Sequence, residues 1–451
     1  MRHTHRFTYS PAQLAEIAQT LLGHARTLGA NACECGVSES QGLSVSVRKG
    51  EVETLEHNRE KDVGVSVYLG ARPKARRGHA STSDFSPAAL RSTVEAALAI
   101  ARFTAEDDCS GLPEPESIAR ALPDLDLYHP WEISPEEAIG LARRCEAAGF
   151  AVSPKVKNSE GATVSAQHSQ FVIANSEGFV GGFPSSRHTL WCSLIAEHRG
   201  SMQRDDWYSA ARVPARLADP AALGRYTAER ALARLGARKL ATRQAPVLFE
   251  APLAAGLIGH FVSAVSGGSL YRKSSFLLDS LGKLVFASGV NIEESPLLPR
   301  ELASSPFDEE GVATRTRQVV ADGVLQGYFL SSYSARKLGM RSTGSAGGNH
   351  NLIVRPGERD FRGMLRAMHR GLLVTELLGQ GVNMVTGDYS RGAAGYWVEN
   401  GEIAHPVEEI TIAGNLREMF KGITAIGNDV VVRGSRQSGS ILVENMTIAG
   451  D

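Results

Sequence analysis

The stretch that most constrains this chain is Pro246 to Phe276, PVLFEAPLAAGLIGHFVSAVSGGSLYRKSSF. Val247-Leu248-Phe249 reads as a strand, and Pro252 to Val265 reads as a helix. Leu253, Leu257, Ile258, Phe261, Val262 and Val265 cover most of its sides, with small residues between them. A helix apolar nearly all round belongs in the interior of a domain. Gly267-Gly268 is expected to end it through a positive φ, and the hydroxylic, basic run Tyr271-Arg272-Lys273-Ser274-Ser275 follows at once. A buried helix that delivers a basic hydroxylic loop is a common way to build a site.

His260 lies inside that helix. A zinc protease of the H-E-x-x-H kind needs two histidines one turn apart. Gly256 and Ala264 stand four residues from His260, and Ala255 and Val265 stand five away. The residues alone therefore describe a metalloprotease-like scaffold without its ligands, and the plainer reading of His260 is a core histidine with one satisfied hydrogen bond.

Three segments carry a family resemblance: LIGHFVSAVSGGSLYRKSSFLLD at 257–279, GGNHNLIV at 347–354, and TELLGQGVNMVTGDYSRGAAGYWVENGEI at 375–403. They resemble the TldE (PmbA) branch of the TldD/TldE metalloprotease family, and the similarity runs over essentially the whole chain. In TldD-type members the corresponding helix carries H-E-x-x-x-H, and a later cysteine completes a zinc site. Laid onto this sequence, the histidine positions are Gly259 and Ala264, and the glutamate position is His260. No cysteine follows Cys192. The resemblance thus implies a partner subunit with no metal of its own and zinc in a TldD-type partner. It also implies substrates that are unfolded peptides and small proteins, such as antitoxins or precursors of modified peptides.

A length of 451 residues suggests two or three domains, and 42% hydrophobic with 22% charged residues suits a soluble chain with a sizeable core. A net charge of −1 gives no support to a nucleic-acid partner. No stretch approaches a membrane span of about 20 apolar residues. The start, MRHTHRFTYSPAQL, has no apolar core of a secretory signal, so a cytoplasmic location is expected. Five scattered cysteines fit a reducing compartment, and Cys33 and Cys35 read as ordinary buried thiols.

The fold expected is α+β. Residues 1–238 form an N-terminal α+β domain with subunits 1–110 and 127–238, and residues 239–451 form a β-rich domain around the central helix. Ser10-Pro11 and Ser86-Pro87 cap helices that flank strands at Ala32–Thr82. Ser134-Pro135 and Asp219-Pro220 repeat the plan, and Pro220-Ala221-Ala222-Leu223 repeats Pro87-Ala88-Ala89-Leu90. This reads as a duplicated helix-sheet-helix unit; two unrelated segments with a shared capping dipeptide are the alternative. In the last region strands are expected at Leu284–Ala287, at Met384–Ser390, at Gly392–Glu399, and as a closing pair Asp429–Val432 with Ile441–Met446.

Candidate residues for lining a cavity or substrate path are Tyr271, Arg272, Lys273 and Ser274, with Arg272 able to hold a carboxylate or two peptide carbonyls. Asn349 and His350 follow a glycine hinge. Glu376 lies among apolar residues and must be paired or protonated if buried. Gly387 to Gly392 reads as a turn in which Asp388 and Arg391 pair locally. GSRQSGS at 434–440 reads as a flexible turn. Besides the subunit reading, two others stand: a self-sufficient hydrolase with His260 or His350 as base, and a regulatory binding protein. The partner contact is expected to be large and to lie mainly on the third region, and the chain alone could form a homodimer.

Overall fold

The computed structural model describes residues 7–450; residues 1–6, the start of the N-terminal stretch, lie outside the described residues. The first half contains α1 (Pro11–Thr27), β1 (Ala32–Arg48), β2 (Glu51–Ala71), β3 (Lys74–Thr82) and α2 (Pro87–Phe103). The second contains α3 (Pro135–Phe150), β4 (Val156–Asn175), β5 (Val180–His198), β6 (Ser201–Ala211) and α4 (Pro220–Ala233). Side chains of Ser10, Ser86, Ser134 and Asp219 cap the four helices, each with proline at the helix start.

The six strands make one antiparallel sheet in the order β3-β2-β1-β4-β5-β6. Counted outward from its centre, the strand order of the first half recurs in the second. The seam is β1 against β4, from Glu34 opposite Asn175 to Val47 opposite Ala162. Alternation along β1 sends Cys33, Cys35 and Val37 into a core with α1 and α2, and Leu43, Val45 and Val47 into a core with α3 and α4. All six positions share one parity, so the four helices cover one face of the sheet. The opposite face packs Phe171, Phe179 and Phe183 around Phe307, which belongs to the third region.

The third region begins with β7 (Arg243–Phe249), α5 (Ala251–Ala264) and α6 (Gly267–Tyr271). It continues with β8 (Ile292–Glu294), β9 (Arg317–Ala321), β10 (Val324–Leu325), α7 (Ser332–Lys337), β11 (Leu352–Val354) and α8 (Phe361–Met368). The remaining elements are β12 (Gly371–Leu378), β13 (Asp388–Glu399), β14 (Glu402–Asn415), α9 (Leu416–Lys421), β15 (Ile423–Ile426), β16 (Arg436–Gln437) and β17 (Ile441–Ala449). The larger sheet runs β14-β13-β12-β7-β17-β15, and β14 also pairs with β17, so five strands close into a ring. The smaller sheet runs β10-β9-β8-β11-β16. Val247 and Phe249 on β7 face the main core with α5, whereas Leu248 faces α8.

Several sequence expectations need correction. Gly267 and Gly268 do not end α5 through a positive φ: the helix stops at Ala264 with Val265 as its cap, and Gly267 opens α6. The glycine at 267 is required by space, because a Cβ there would lie 2.2 Å from Ser334 Oγ. Leu284–Ala287 makes a single bridge, Leu284 to Val324, rather than a strand. Residues 388–392 are not a turn but the beginning of β13. Residues 429–432 form no strand; β17 pairs instead with β7, β14 and β15.

The segment around Asp308 and Glu310 joins the third region to the sheet. Asp308 accepts N–H groups of Glu310, Val312 and Ala346, each at 2.9 Å, and Glu310 Oε2 accepts the Ser332 N–H at 2.8 Å. Burial raises both carboxyls, Asp308 to about 6 against the pull of its N–H donors, and Glu310 to about 7 with the Asp308 charge adding to the rise. The folded chain therefore keeps protons that the unfolded chain has already released. Their contribution to stability is full below about pH 4 and is lost as pH rises through 6 and 7. The decline is expected to reach at most about 1.4 kcal/mol per pH unit for each group. Urea titrations of the wild type and Glu310→Gln across this window measure it. An unchanged slope in the variant would show that Glu310 is already ionised in the folded state.

Candidate functional site

The α5 helix is less enclosed than its composition suggests. Its core side, with Leu257, Ile258, Phe261 and Ala264, is buried. Pro252, Gly256, His260 and Ser263 form a stripe that remains open, at the spacing of one helix face. His260 thus stands at the rim of the core. Its ring meets Tyr389 of β13 edge to face at 6.0 Å. Among the described residues it has no hydrogen-bond partner, which corrects the reading of a core histidine with one satisfied bond.

Two arginines surround this stripe. A Cβ built at Gly259 would lie 2.7 Å from Arg436 Nη1 and 3.1 Å from its Cζ. The guanidinium of Arg436, carried by β16, therefore fills the space that a side chain at 259 would need. Arg391 on β13 lies beside the Tyr389 side chain and reaches the Leu377 carbonyl at 3.5 Å, and its Nε is buried without a partner. Asp388 does not pair with it as expected: that carboxylate accepts from Thr386 and Asn415 instead. Burial lowers the His260 pKa below the ordinary imidazole value, and the nearby Arg391 and Arg436 charges lower it further. Burial raises the Tyr389 phenol to about 12, against the pull of Arg391.

This donor set does not fit zinc. Gly259 and Ala264 supply no ligand, and the one imidazole on the helix faces two cations. Among the described residues no group of three His, Cys, Asp or Glu side chains could hold a metal ion.

The other candidates separate. Tyr271 ends α6, and its hydroxyl accepts from Arg272 Nη1 at 3.1 Å. Arg272 and Lys273 are exposed, and Lys273 has a left-handed φ of 57°. Ser274 Oγ donates back to the Ser269 carbonyl at 3.3 Å. Ser275 Oγ donates to the Ala264 carbonyl at 2.6 Å, so this loop is tied to the end of α5.

His350 belongs to a buried network. Its backbone N–H donates to Glu294 Oε1 at 2.9 Å, its Nδ1 lies 3.3 Å from the same oxygen, and Arg317 Nε donates to Glu294 Oε2 at 2.7 Å. Burial alone would raise Glu294, but His350 and Arg317 outweigh it and hold the carboxyl low. Asn349 donates to the His350 carbonyl at 2.6 Å. Glu376, expected to be buried, is half-buried and pairs with Arg234 of α4. That pair lines a cavity of about 220 Å³ at the start of α5, together with Trp207, Arg230, Glu250 and Arg433.

The residues missed by sequence reasoning are Tyr389 and Arg436. Arg436 lies in a segment without periodicity, and only the three-dimensional path of the chain brings it beside Gly259.

Residues 33–101, 128–235 and 242–450 match family models described as PmbA/TldA metallopeptidase domain 1, central domain and C-terminal domain. The chain is 50% identical to metalloprotease PmbA of Escherichia coli O157:H7 over 417 residues, covering 92% of each chain. It is 47% identical to a metalloprotease PmbA homolog of Haemophilus influenzae over 428 residues, covering 95% of this chain and 94% of that one. The fold is similar to that of a candidate modulator of DNA gyrase from Bacteroides thetaiotaomicron, with a TM-score of 0.91 at 25% identity over 97% of this chain and 98% of that one. TldE from Thermococcus kodakarensis shares the fold with a TM-score of 0.84 at 20% identity, over 96% of this chain and 100% of that one. The chain belongs to the PmbA/TldD metallopeptidase family, on its PmbA/TldE branch.

Proposed function

We propose that this chain is the metal-free subunit of a two-part zinc peptidase that degrades or trims unfolded peptides and small proteins. A TldD-type partner carries the zinc, and zinc bound there supplies an activated water for peptide hydrolysis. This chain contributes a wall of the substrate groove. The observation that carries the reading is the Arg436 guanidinium lodged against Gly259, on a helix whose only imidazole has two cationic neighbours. A helix so surrounded repels a divalent metal, yet it keeps an open stripe of small residues along which an extended peptide can lie. Arg272 and Lys273 are exposed just beyond that stripe and are further candidates for contact with peptide. His350 is buried, and its ring and backbone N–H are engaged with Glu294 inside the fold. No helix among the described residues is long and apolar enough to cross a membrane.

The test is metal analysis and peptide cleavage by the chain alone and mixed with a TldD-type partner. The expected result is no stoichiometric zinc on the chain alone and cleavage only by the mixture. One tightly held zinc on the isolated chain, lost on His260→Ala, would overturn the reading, as would full cleavage without the partner.

A further inference from the structure

The open stripe of α5 is bordered by charge that the chain itself does not balance. Neither Arg391 nor Arg436 forms an ion pair among the described residues, although other arginines of the fold do, such as Arg234 with Glu376 and Arg317 with Glu294. Arg391 Nε is buried with no acceptor. A buried donor without a partner is uncommon. His260 adds a third group, because its unprotonated ring can accept a proton once an anion offsets the two guanidinium charges. Tyr389 closes the side toward β13.

We infer that the place taken by zinc in TldD-type subunits is here a carboxylate site, in which Arg391, Arg436 and His260 hold an acidic group of a bound peptide. The planar guanidinium fork matches a carboxylate through paired hydrogen bonds. The small residues of the stripe, Gly256 and Ser263, let peptide backbone approach the helix. The inference rests on the reading of this chain as the peptide-holding subunit, and it names what that subunit recognises. The carboxylate could be a chain terminus or an Asp or Glu side chain; the two present the same chemistry to the site.

The experiment uses the full chain and three labelled hexapeptides of otherwise neutral sequence: one with a free C-terminal carboxylate, its C-terminal amide, and the amide carrying one internal glutamate. Fluorescence anisotropy is expected to show at least one acidic peptide binding roughly 10-fold or more tighter than the neutral amide. The preferred acidic peptide identifies the source of the carboxylate. Arg391→Gln and Arg436→Gln should each abolish that preference while the variants keep the wild-type circular dichroism spectrum.

A second readout needs no variant. Histidine-selective NMR titration of the wild type should find the His260 pKa below the ordinary value in the free chain, and raised when the preferred peptide is bound. Equal binding of all three peptides with no movement of His260 would overturn the inference. Cleavage by the mixed complex without acid preference would remove this site and leave the subunit reading intact. Acid-selective binding by a chain that promotes no cleavage would do the reverse.

Discussion

Arg230→Met is expected to cost the folded chain about 3–5 kcal/mol. Arg230 lies on α4, and its guanidinium joins two domains. Nε donates to Asp205 Oδ1 at 3.0 Å, while Nη1 and Nη2 donate to Glu250 Oε1 and Oε2 at 2.6 and 3.1 Å. The three side chains are only 11%, 9% and 12% exposed. Burial alone would lower the Arg230 pKa, but the Glu250 and Asp205 carboxylates outweigh it and keep the group charged. Its Cζ also lies 4.7 Å above the Trp207 ring. Methionine preserves much of the hydrocarbon packing and removes the charge, leaving two buried carboxylates facing each other. Glu250 is the N-cap residue of α5, yet its side chain is spent on Arg230 rather than on the helix. Losing Arg230 should therefore also loosen the start of the helix that bears His260, and lower cleavage by the mixed complex. Urea denaturation measures the first effect. A double-mutant cycle with Glu250→Gln should return a coupling above about 2 kcal/mol; a coupling near zero would mean that water already screens the pair.

The second large effect is expected at Gly224, where α4 crosses α3. A Cβ on Gly224 would lie 1.8 Å from the Cys145 carbonyl oxygen, and one on Gly149 would lie 2.8 Å from the Gly224 oxygen. Both obstacles are backbone, so relief requires the helices to separate. Gly224→Ala should destabilise by about 2–3 kcal/mol, despite a gain of about 1 kcal/mol in helix propensity. Gly259→Ala is the control. Its obstacle is the end of the Arg436 side chain, which can swing aside. That variant should be neutral or up to about 1 kcal/mol more stable. The discriminating measurement is the pair of denaturation midpoints: equal midpoints would mean that α3 and α4 have room to spare.

Local signals explain which parts of this architecture can be read from sequence. Ser10, Ser86, Ser134 and Asp219 mark helix starts because a capping side chain and a following proline act within one turn. Alternation identifies β1 and β4 because each has one face on helices. The ring of the third region has no such marker. It closes through Thr411–Ala413 against Ala449–Thr447, and that choice of partner depends on all the strands between them. The site divides along the same line. Glycine and alanine at 259 and 264 are visible as missing ligands, and Glu376 needed a partner and has Arg234. Arg391 looked like half of a local pair with Asp388, because neighbours in sequence are the only partners a sequence displays. The cation beside Gly259 comes from an irregular arm whose course is set by β16 pairing with β11.

The seam between β1 and β4 has a consequence for anyone dividing this protein. Cutting within residues 104–134 and expressing the first part alone would turn β1 from an inner strand into a free edge from Glu34 to Val47. Edges of that length recruit other chains. Such a fragment should self-associate through its bare β1, and supplying the remainder of the chain during refolding should suppress that by restoring the native neighbour. Deletion series intended to isolate the helix-bearing third region are therefore best made with both halves of the sheet retained, or with both removed.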